Sequence, residues 1–367
     1  MNYKDFYKGK KVLLTGHTGF KGSWMSMVLL YLGAEVTGYA LEAPTSPSLF
    51  EICGLSDKMN SVIGDIRDLE KLQKVFNETQ PEIVIHMAAQ PLVRESYKSP
   101  VYTYETNVIG TVNILECVRN TPSVKSVINV TTDKVYKNIE QNIGYVETDE
   151  LNGYDPYSNS KSCSELVTSS YINSFLREKG VAVSTMRAGN VIGGGDFAED
   201  RIIPDCVRAG LSGQDIIIRN PYSIRPFQHV LEPIFAYLMV AMKQYEDHSV
   251  CGAYNVGPAD EDCWETGRLT DLFCKQWQEI MGSEVKWINK HDGGPHEAGF
   301  LKLNCAKIKE VFGWTPRWNM EVNMEKIISW TKMYAAGVLD DVVACMMEQI
   351  NEYLIEIDKS CNQCKEY

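Results

Sequence analysis

VLLTGHTGFKG, at residues 12–22, is the stretch that decides the fold, because an apolar run passes directly into three glycines with the spacing G-x-x-G-x-x-G. Apolar residues such as Trp24, Met27 and Val28 then recur at the spacing of one helix face. Glycines between a strand and a helix permit a tight turn and let a pyrophosphate approach the helix N-terminus, where free N–H groups and the helix dipole favour anions. The stretch therefore predicts a dinucleotide-binding loop.

The chain after this loop alternates short apolar runs with amphipathic stretches. Such alternation predicts parallel strands joined by right-handed helical crossovers, and hence an α/β fold with a doubly wound, Rossmann-type parallel sheet. The predicted strands are residues 12–15, 35–40, 61–64, 83–87, 126–131 and 181–186.

After residue 188 the pattern changes, because Gly and Pro become frequent and the alternation is lost. We interpret this part as a smaller α/β substrate-binding domain that is interleaved with the sheet domain. The predicted division is a dinucleotide-binding domain at 1–188 with a returning segment around 226–256, a substrate-binding domain at 189–225 and 257–330, and a C-terminal helical tail at 331–367.

Composition and charge narrow the class of protein. The 367 residues carry a formal net charge of −12, so a nucleic-acid partner is not expected. The N-terminus has no apolar signal-peptide core and the longest apolar stretch, residues 24–32, is too short to cross a bilayer, so we expect a cytoplasmic protein without a membrane partner. Cys361 and Cys364 form a C-x-x-C pair without the further ligands of a zinc site, and no metal is expected.

Further residues fit a dinucleotide at the carboxyl ends of the strands, and we expect NAD as the cofactor. The acid that usually ends the second strand is missing, since Ala40 stands there, and no arginine cluster favours NADP. His17 and Lys21 are also bulky for such a loop, so NAD is expected to bind less tightly than in enzymes with the acid. The predicted cofactor-binding residues are Gly16, His17, Gly19, Phe20, Lys21, Gly22, Asp65, Ile66, Ala88, Ala89, Gln90 and Asn107, together with the pair described next.

Tyr157 and Lys161 form a Y-x-x-x-K pair, which a helix would place on one face. An ammonium and a positive nicotinamide near the phenol favour the phenolate, so Tyr157 can act as a base near neutral pH. Earlier in the chain, Thr132, Asp133 and Lys134 end a predicted strand. Because the carboxyl ends of parallel strands face the ligand crevice, these five side chains are expected to converge.

The glycine loop together with Tyr157-x-x-x-Lys161 resembles the extended short-chain dehydrogenase/reductase superfamily. Longer strings are similar to those of its CDP-glucose 4,6-dehydratases, and the likeness extends from residue 9 to residue 318. These strings are TGHTGFKGSW at residues 15–24, TDK at 132–134, GYDPYS at 153–158, RAGNVIGGGD at 187–196, RPFQHV at 225–230 and PHEA at 295–298.

The resemblance implies that CDP-glucose, or a related nucleotide sugar, is converted to a 4-keto-6-deoxy sugar and water, with hydride passing from C4 to NAD+ and returning to C6. It implies that Tyr157 takes the proton of the 4-OH, Lys161 holds the nicotinamide ribose and Thr132 hydrogen-bonds O4. Asp133 is then the natural acid and Lys134 the base at C5. A charged Lys134 would lower the pKa of Asp133, however, so the two roles stay open unless the pair shares a proton.

The resemblance also bears on the nucleotide end and on assembly. It places Asn190, Arg225 and His296 near the diphosphate, with Arg201 as a further candidate, and a guanidinium matches phosphate oxygens well. It implies a homodimer or higher homo-oligomer formed through helices of the sheet domain.

Two other interpretations stay open. Another NDP-hexose 4,6-dehydratase, or a UDP-sugar 4-epimerase, would share the glycine loop and the Tyr157–Lys161 pair, but an epimerase needs no acid and base at 133 and 134. A non-catalytic NAD-binding regulatory protein of this fold would not need Tyr157 or Lys161, and this chain has both.

Overall fold

The computed structural model describes residues 2–141, 143–290 and 301–363. Its strands are β1 Lys11–Thr15, β2 Glu35–Ala40, β3 Asn60–Ile63, β4 Ile83–His86, β5 Ser126–Val130, β6 Ala182–Ala188, β7 Val191–Ile192, β8 Ile216–Ile218, β9 Ile224–Pro226, β10 Gln228–His229, β11 Ala253–Val256, β12 Cys263–Glu265 and β13 Trp287–Asn289. Its α-helices are α1 Tyr3–Tyr7, α2 Phe20–Tyr31, α3 Leu49–Ile52, α4 Leu69–Thr79, α5 Val93–Lys98, α6 Pro100–Tyr104, α7 Gly110–Arg119, α8 Pro156–Tyr171, α9 Ile202–Ser212, α10 Leu231–Glu246, α11 Thr266–Met281, α12 Ala306–Phe312, α13 Met320–Ala335 and α14 Leu339–Gln363.

A seven-stranded sheet forms the centre, in the order β11-β6-β5-β4-β1-β2-β3, and every neighbouring pair is parallel. The predicted doubly wound α/β fold is confirmed, and six of these strands lie within two residues of the predicted bounds at each end. The strand order reverses between β1 and β4. At such a switch point the crevice outside the carboxyl ends of the strands is where doubly wound sheets bind ligands.

The sheet is buried on both faces because successive side chains of a strand point to opposite sides. On β1, Val12 and Leu14 join a core cluster with α2, α10 and α14, whereas Leu13 joins the cluster formed with α4 and α7. The helical face predicted for α2 is buried, but Met25 and Leu29 on its other side are fully buried too. The physical reason is that α14 and α3 cover the side of α2 that faces away from the sheet. None of the described helices combines the length and apolar composition needed to cross a bilayer.

A third core cluster lies in the part of the chain that follows the sheet strands. It joins α9, α11 and α13 to the two-stranded sheets β8–β13 and β9–β12. Its buried residues fall between Ile192 and Phe227 and between Trp264 and Ile328. The segment between them returns to the main sheet as α10 and β11. The predicted division into two interleaved domains stays a proposal that this grouping of core residues supports.

The C-terminal helix α14 is part of the main core. The predicted boundary at residue 331 falls inside α13, and α14 buries one face against α2 and α3. From this face Tyr353 stacks on Phe235 of α10 and donates a hydrogen bond to the buried carboxylate of Glu232. The same carboxylate accepts bonds from the backbone N–H groups of Arg317 and Trp318, each at 2.8 Å. One buried acid thus ties α14 and the chain before α13 to α10.

Because Glu232 is buried, we expect the protein to be less stable at neutral and alkaline pH than in mild acid. Burial raises the pKa of Glu232 from 4.5 to about 7, so the folded chain holds this proton more tightly than the unfolded chain does. The stability that the protonated Glu232 contributes is fully present below pH 4.5, and it is lost as the pH rises to about 7. The free energy of unfolding should therefore fall from pH 5 to pH 8 by roughly 2–3 kcal/mol more in the wild type than in Glu232→Gln.

Denaturant unfolding at the two pH values measures this difference. Asp340→Asn, which removes an exposed carboxylate from α14, is the matched control and should keep the wild-type dependence on pH. If the free energy of unfolding changed with pH equally in the wild type and in Glu232→Gln, the raised pKa of Glu232 would be contradicted.

Candidate active site

The glycine loop sits at the switch point between β1 and β4. Gly16 has φ +79°, and a Cβ there would lie 2.9 Å from the backbone nitrogen of Ala88. A Cβ on Gly22 would lie 2.0 Å from the carbonyl oxygen of Gly16, so these two glycines allow the loop to close on β4 and on α2. Gly19 is the N-cap of α2 and has no side chain with which to cover the first-turn N–H groups. A Cβ on Gly19 would meet only the Gly16 oxygen, at 3.5 Å.

His17 and Lys21, the bulky residues of the loop, point in different directions. The His17 ring is buried above Gly38 with Nε2 2.7 Å from Ser61 Oγ, so it fills space between β2 and β3. Burial lowers the pKa of His17 to about 4, which leaves the ring neutral. Lys21 turns towards α10, where its Nζ lies 3.5 Å from the hydroxyl of Tyr237. Burial, followed by nearby cations, lowers the pKa of Lys21 to about 7.

Asp65 and Ile66, two of the predicted cofactor-binding residues, follow β3. The Asp65 carboxylate is held by Arg67 at 2.7 Å, and this hydrogen-bonded pair lowers the pKa of Asp65. Ile66 packs against Gly110, where a Cβ would come within 2.5 Å of the Ile66 side chain. The sequence pattern gave no sign of the Arg67 pairing, which occupies part of the Asp65 carboxylate.

Asn107 connects the loop after β4 with α8. Its Oδ1 accepts from the Gln90 N–H at 2.8 Å, and its Nδ2 donates to the Gln90 carbonyl at 3.1 Å and to Ser160 Oγ at 2.9 Å. Ala88, just upstream, donates its N–H to Thr15 Oγ1 at 3.0 Å, and Ala89 lies between Ala88 and Gln90. Asn107 therefore acts on the site through the position of the β4 loop and of α8, from within a π-helical turn at Glu105–Ile109.

Tyr157 and Lys161 lie in the first turns of α8. The helix begins here because Asp155 accepts from the Ser158 N–H at 3.0 Å as N-cap and Pro156 occupies the first position. Lys161 donates to the carbonyl of Val130, the last residue of β5, at 3.1 Å, and burial lowers the pKa of Lys161 to about 8. Both side chains are thus placed at the carboxyl end of β5.

The Thr132-Asp133-Lys134 run meets the phenol at this place. Thr132 Oγ1 donates to Asp133 Oδ1 at 2.9 Å, and Lys134 Nζ reaches the same oxygen at 2.9 Å. Burial raises the pKa of Tyr157, whereas the Lys134 cation and a hydrogen bond with the Thr132 side chain lower it. The structure therefore brings all five predicted side chains together, with Asp133 fully buried.

Two of the predicted substrate residues lie near this cluster, and a third is buried on β9. Asn190 touches it, since its Oδ1 accepts from Lys134 Nζ at 3.2 Å. Arg201 is paired with Asp196 at 2.9 Å and is near enough to lower the pKa of Tyr157. Arg225 is buried on β9 and donates to the Ile224 carbonyl at 3.2 Å.

His296 falls outside the described residues, as does Cys364 of the C-x-x-C pair. Within the part of the chain that is described, there is no group of three His, Cys, Asp or Glu side chains that could hold a metal ion.

A family model described as GDP-mannose 4,6 dehydratase matches residues 13–327. The chain belongs to this family. Among its relatives, a CDP-glucose 4,6-dehydratase of Salmonella typhimurium is 49% identical over 357 residues, which cover 96% of this chain and 98% of that protein.

Solved structures share the fold of this GDP-mannose 4,6 dehydratase family member. A UDP-glucose 4-epimerase from Thermotoga maritima with UDP-glucose gives a TM-score of 0.73 at 22% identity, covering 88% of this chain and 98% of that one. A dTDP-glucose 4,6-dehydratase from Bacillus anthracis in complex with NAD gives 0.72 at 22% identity, covering 88% and 97%. Family and fold therefore agree.

The residues of this family member fit a dinucleotide such as NAD. The N-terminus of α2 is uncovered at Gly19, and the close approach at Gly16 and Gly22 shapes the turn in front of it. Lys161 lies on the far side of the same crevice, at the end of β5. These groups would hold the diphosphate and the nicotinamide ribose, respectively.

Two residues that the sequence did not single out complete the site of this family member. Tyr237 of α10 is fully buried beside Lys21, and its pKa is raised by burial and then by Tyr157 and Asp133. Glu165 lies one helical turn after Lys161 and opposes the lowering of the Lys161 pKa. The spacing of Lys161 and Glu165 on α8 was a usable signal for Glu165, whereas no local pattern marked Tyr237.

The two glycines of the loop should respond differently to a methyl group. Gly19→Ala should keep the melting temperature of the wild type, because its Cβ meets only one atom at contact distance, but should weaken NAD binding by roughly tenfold or more. Gly22→Ala should lower the melting temperature, because its Cβ collides with the Gly16 carbonyl. Calorimetric NAD titration and thermal unfolding measure the two effects. Unchanged NAD affinity in Gly19→Ala would exclude this loop as the diphosphate site.

Proposed function

We propose that the chain is an NAD-dependent CDP-glucose 4,6-dehydratase, which converts CDP-glucose to CDP-4-keto-6-deoxyglucose and water. The observation that carries the proposal is the hydrogen-bonded group of Tyr157, Thr132, Asp133 and Lys134 at the carboxyl end of β5. The 49% identity to the Salmonella CDP-glucose 4,6-dehydratase over nearly the whole chain supports the choice of the cytidine nucleotide.

The first half of the reaction is an oxidation at C4. NAD+, when bound, supplies the hydride acceptor for C4 and later the hydride donor for C6. Tyr157 takes the proton of the sugar 4-OH, and the neighbouring Lys134 cation and Thr132 hydroxyl favour the phenolate that this step needs. In this mechanism Thr132 hydrogen-bonds O4, and Lys161 orients the ribose of the cofactor. The resulting 4-ketone acidifies the proton on C5.

The second half of the reaction is the loss of water across C5 and C6. Lys134 Nζ lies 2.9 Å from Asp133 Oδ1, and in the proposed mechanism one proton moves along this hydrogen bond, which converts the carboxylate and ammonium form of the pair into a carboxylic acid and amine form. In the second form Lys134 accepts the C5 proton while Asp133 donates to the 6-OH, and water leaves. The reduction at C6 also needs a proton at C5, which Lys134 gives back, and the proton that Tyr157 took from the 4-OH returns to Asp133, so all three residues are restored. Asn190 fixes the Lys134 amine from the other side, at 3.2 Å.

The Asp133–Lys134 pair distinguishes the proposed dehydratase from the alternative functions. A UDP-sugar 4-epimerase of the same fold would not need the Asp133–Lys134 pair, and its product would keep the mass of the substrate. A non-catalytic NAD-binding protein would not need the buried group around Tyr157. The deciding experiment is incubation with NAD and a panel of CDP-, dTDP-, GDP- and UDP-hexoses with mass detection. Loss of one water from CDP-glucose supports the proposal, and an isomer of unchanged mass favours the epimerase.

Lys134→Met tests the base. Water elimination should fall by roughly 100-fold or more, while NADH still forms because oxidation at C4 does not use this amine. The acid limb of the pH profile of NADH formation should move to higher pH, because the Lys134 cation that lowers the pKa of Tyr157 is gone. Lys137→Met is the matched control, because Lys137 is half exposed and pairs with Glu150. Wild-type elimination in Lys134→Met would rule out the base role.

We also infer that the enzyme is a homodimer formed through the helices that carry Tyr157 and its neighbours. A patch of exposed apolar side chains lies on α5, α6, α8 and the π-helical turns beside them, and contiguous patches of this kind mark interaction sites. Its residues are Tyr97, Val101, Tyr104, Ile109, Leu166 and Phe175. A cytoplasmic location, expected from the sequence, stays a prediction.

A charge in this patch should separate the protomers. Leu166→Glu replaces a side chain that is 57% exposed and should shift the mass measured by light scattering from dimer to monomer. Ile217→Glu, at a side chain 50% exposed on β8, is the control and should leave the mass unchanged. A monomeric wild type, or equal behaviour of the two variants, would contradict the proposed interface.

A further inference from the structure

A buried ion pair that no step of the proposed reaction uses lies beneath the active site. The carboxylate of Glu165 and the guanidinium of Arg187 meet through two hydrogen bonds of 2.9 and 3.0 Å, and both side chains are almost wholly buried. The hydroxyls of Thr131 and Thr185 also donate to this carboxylate, at 2.5 and 2.7 Å. Four donors thus hold both oxygens of Glu165, which explains how a charge is tolerated there.

The residues of this ion pair adjoin every catalytic segment. Glu165 is one turn after Lys161 on α8, so its position is tied to that of the catalytic pair. Thr131 directly precedes the Thr132-Asp133-Lys134 run at the end of β5. Arg187 is near the end of β6, three residues before Asn190, which contacts Lys134. Movement of the ion pair would therefore displace three separate parts of the site.

Arg187 extends the connection to the chain between the Thr-Asp-Lys run and α8. Its Nη1 donates to the hydroxyl of Tyr136 at 2.9 Å and to the carbonyl of Glu147 at 3.0 Å. Tyr136 in turn donates to Asn255 of β11 at 2.6 Å. The guanidinium thereby fixes the segment that leaves the active site as well as the strands that enter it.

We propose that Glu165 is a positioning residue of this enzyme: through Arg187 and Thr131 it holds the carboxyl ends of β5 and β6 in register with α8 and keeps the Lys161 side chain charged. The proposal rests on the proposed function, since it assigns a task to the ion pair within that site. It does not give Glu165 any contact with substrate or cofactor.

The charges around Lys161 explain why the acid matters. Glu165 on α8 favours the ammonium, whereas Lys21 from α2 and His86 from β4 are the other titratable groups whose pKa is coupled to it. Burial lowers the pKa of Lys161 to about 8, so its charge is maintained only narrowly at neutral pH. Loss of the Glu165 charge should lower this pKa further and leave part of the Lys161 population neutral.

A matched pair of threonine variants tests the positioning. Thr131→Val and Thr185→Val each remove one hydroxyl that donates to Glu165, and the two side chains are equally buried at 6% exposure. Thr131→Val should lower kcat for CDP-glucose by roughly tenfold or more with little change in KM, because it releases the segment next to the catalytic run. Thr185→Val should stay within about threefold of the wild type. Equal losses of kcat in the two variants would overturn the proposal.

Glu165→Gln tests the electrostatic part without turnover. In protein labelled with [ε-13C]lysine, the Lys161 resonance is assigned by its absence in Lys161→Arg, and its titration gives the pKa directly. The midpoint should move to lower pH by about one pH unit in Glu165→Gln and should not move in Thr185→Val. An unmoved midpoint would overturn the proposal.

The two failures are distinguishable. A wild type that dehydrates no nucleotide sugar would refute the proposed function, while the NMR titration would still decide the role of Glu165. Should Glu165→Gln fail to fold, the comparison of kcat between Thr131→Val and Thr185→Val still decides the positioning role, and equal losses would overturn it.

Discussion

The carboxyl end of β5 is bound to the first turns of α8, and the catalytic arrangement depends on this contact. Lys161 donates to the last carbonyl of β5, Thr131 donates to Glu165, and Thr132 hydrogen-bonds Tyr157. Neither element carries a complete set of reactive groups. The end of β5 supplies the hydroxyl, the acid and the amine of residues 132–134, and α8 supplies the phenol of Tyr157 and the ammonium of Lys161. The contact between β5 and α8 holds these groups in one site.

The site concentrates positive charge inside an acidic protein. Lys134, Lys161 and Arg201 each lower the pKa of Lys21, so three basic side chains lie within electrostatic reach of Lys21 although the chain carries a net charge of −12. Burial strengthens these interactions because water screens them less. Such a local field suits ligands that carry diphosphates, and it also explains why Tyr157 is shielded from the full effect of its burial.

The sequence predicted the parts of the fold and site that follow from local patterns. Apolar runs located the strands, because buried parallel strands are apolar on both faces. The convergence of Tyr157 and Asp133 was predicted because the carboxyl ends of parallel strands lie at one edge of the sheet. The pairing of Asp65 with Arg67 and the inward turn of His17 were not predicted, because they depend on side-chain rotamers and on gaps between β2 and β3. Tyr237 and the docking of α14 depend on contacts between residues far apart in the chain.

The hydrogen bond between Glu232 and Tyr353 has a consequence for biosynthesis, because 121 residues separate its two partners. At ribosomal rates of 5–20 residues per second, roughly ten seconds pass between the emergence of α10 and that of the helix that covers it. During this interval the nascent chain exposes an apolar groove beside an acid that water must solvate. The helix that carries Tyr237 therefore reaches its final packing only after nearly all of the described chain has left the ribosome, so chaperones have time to engage this groove.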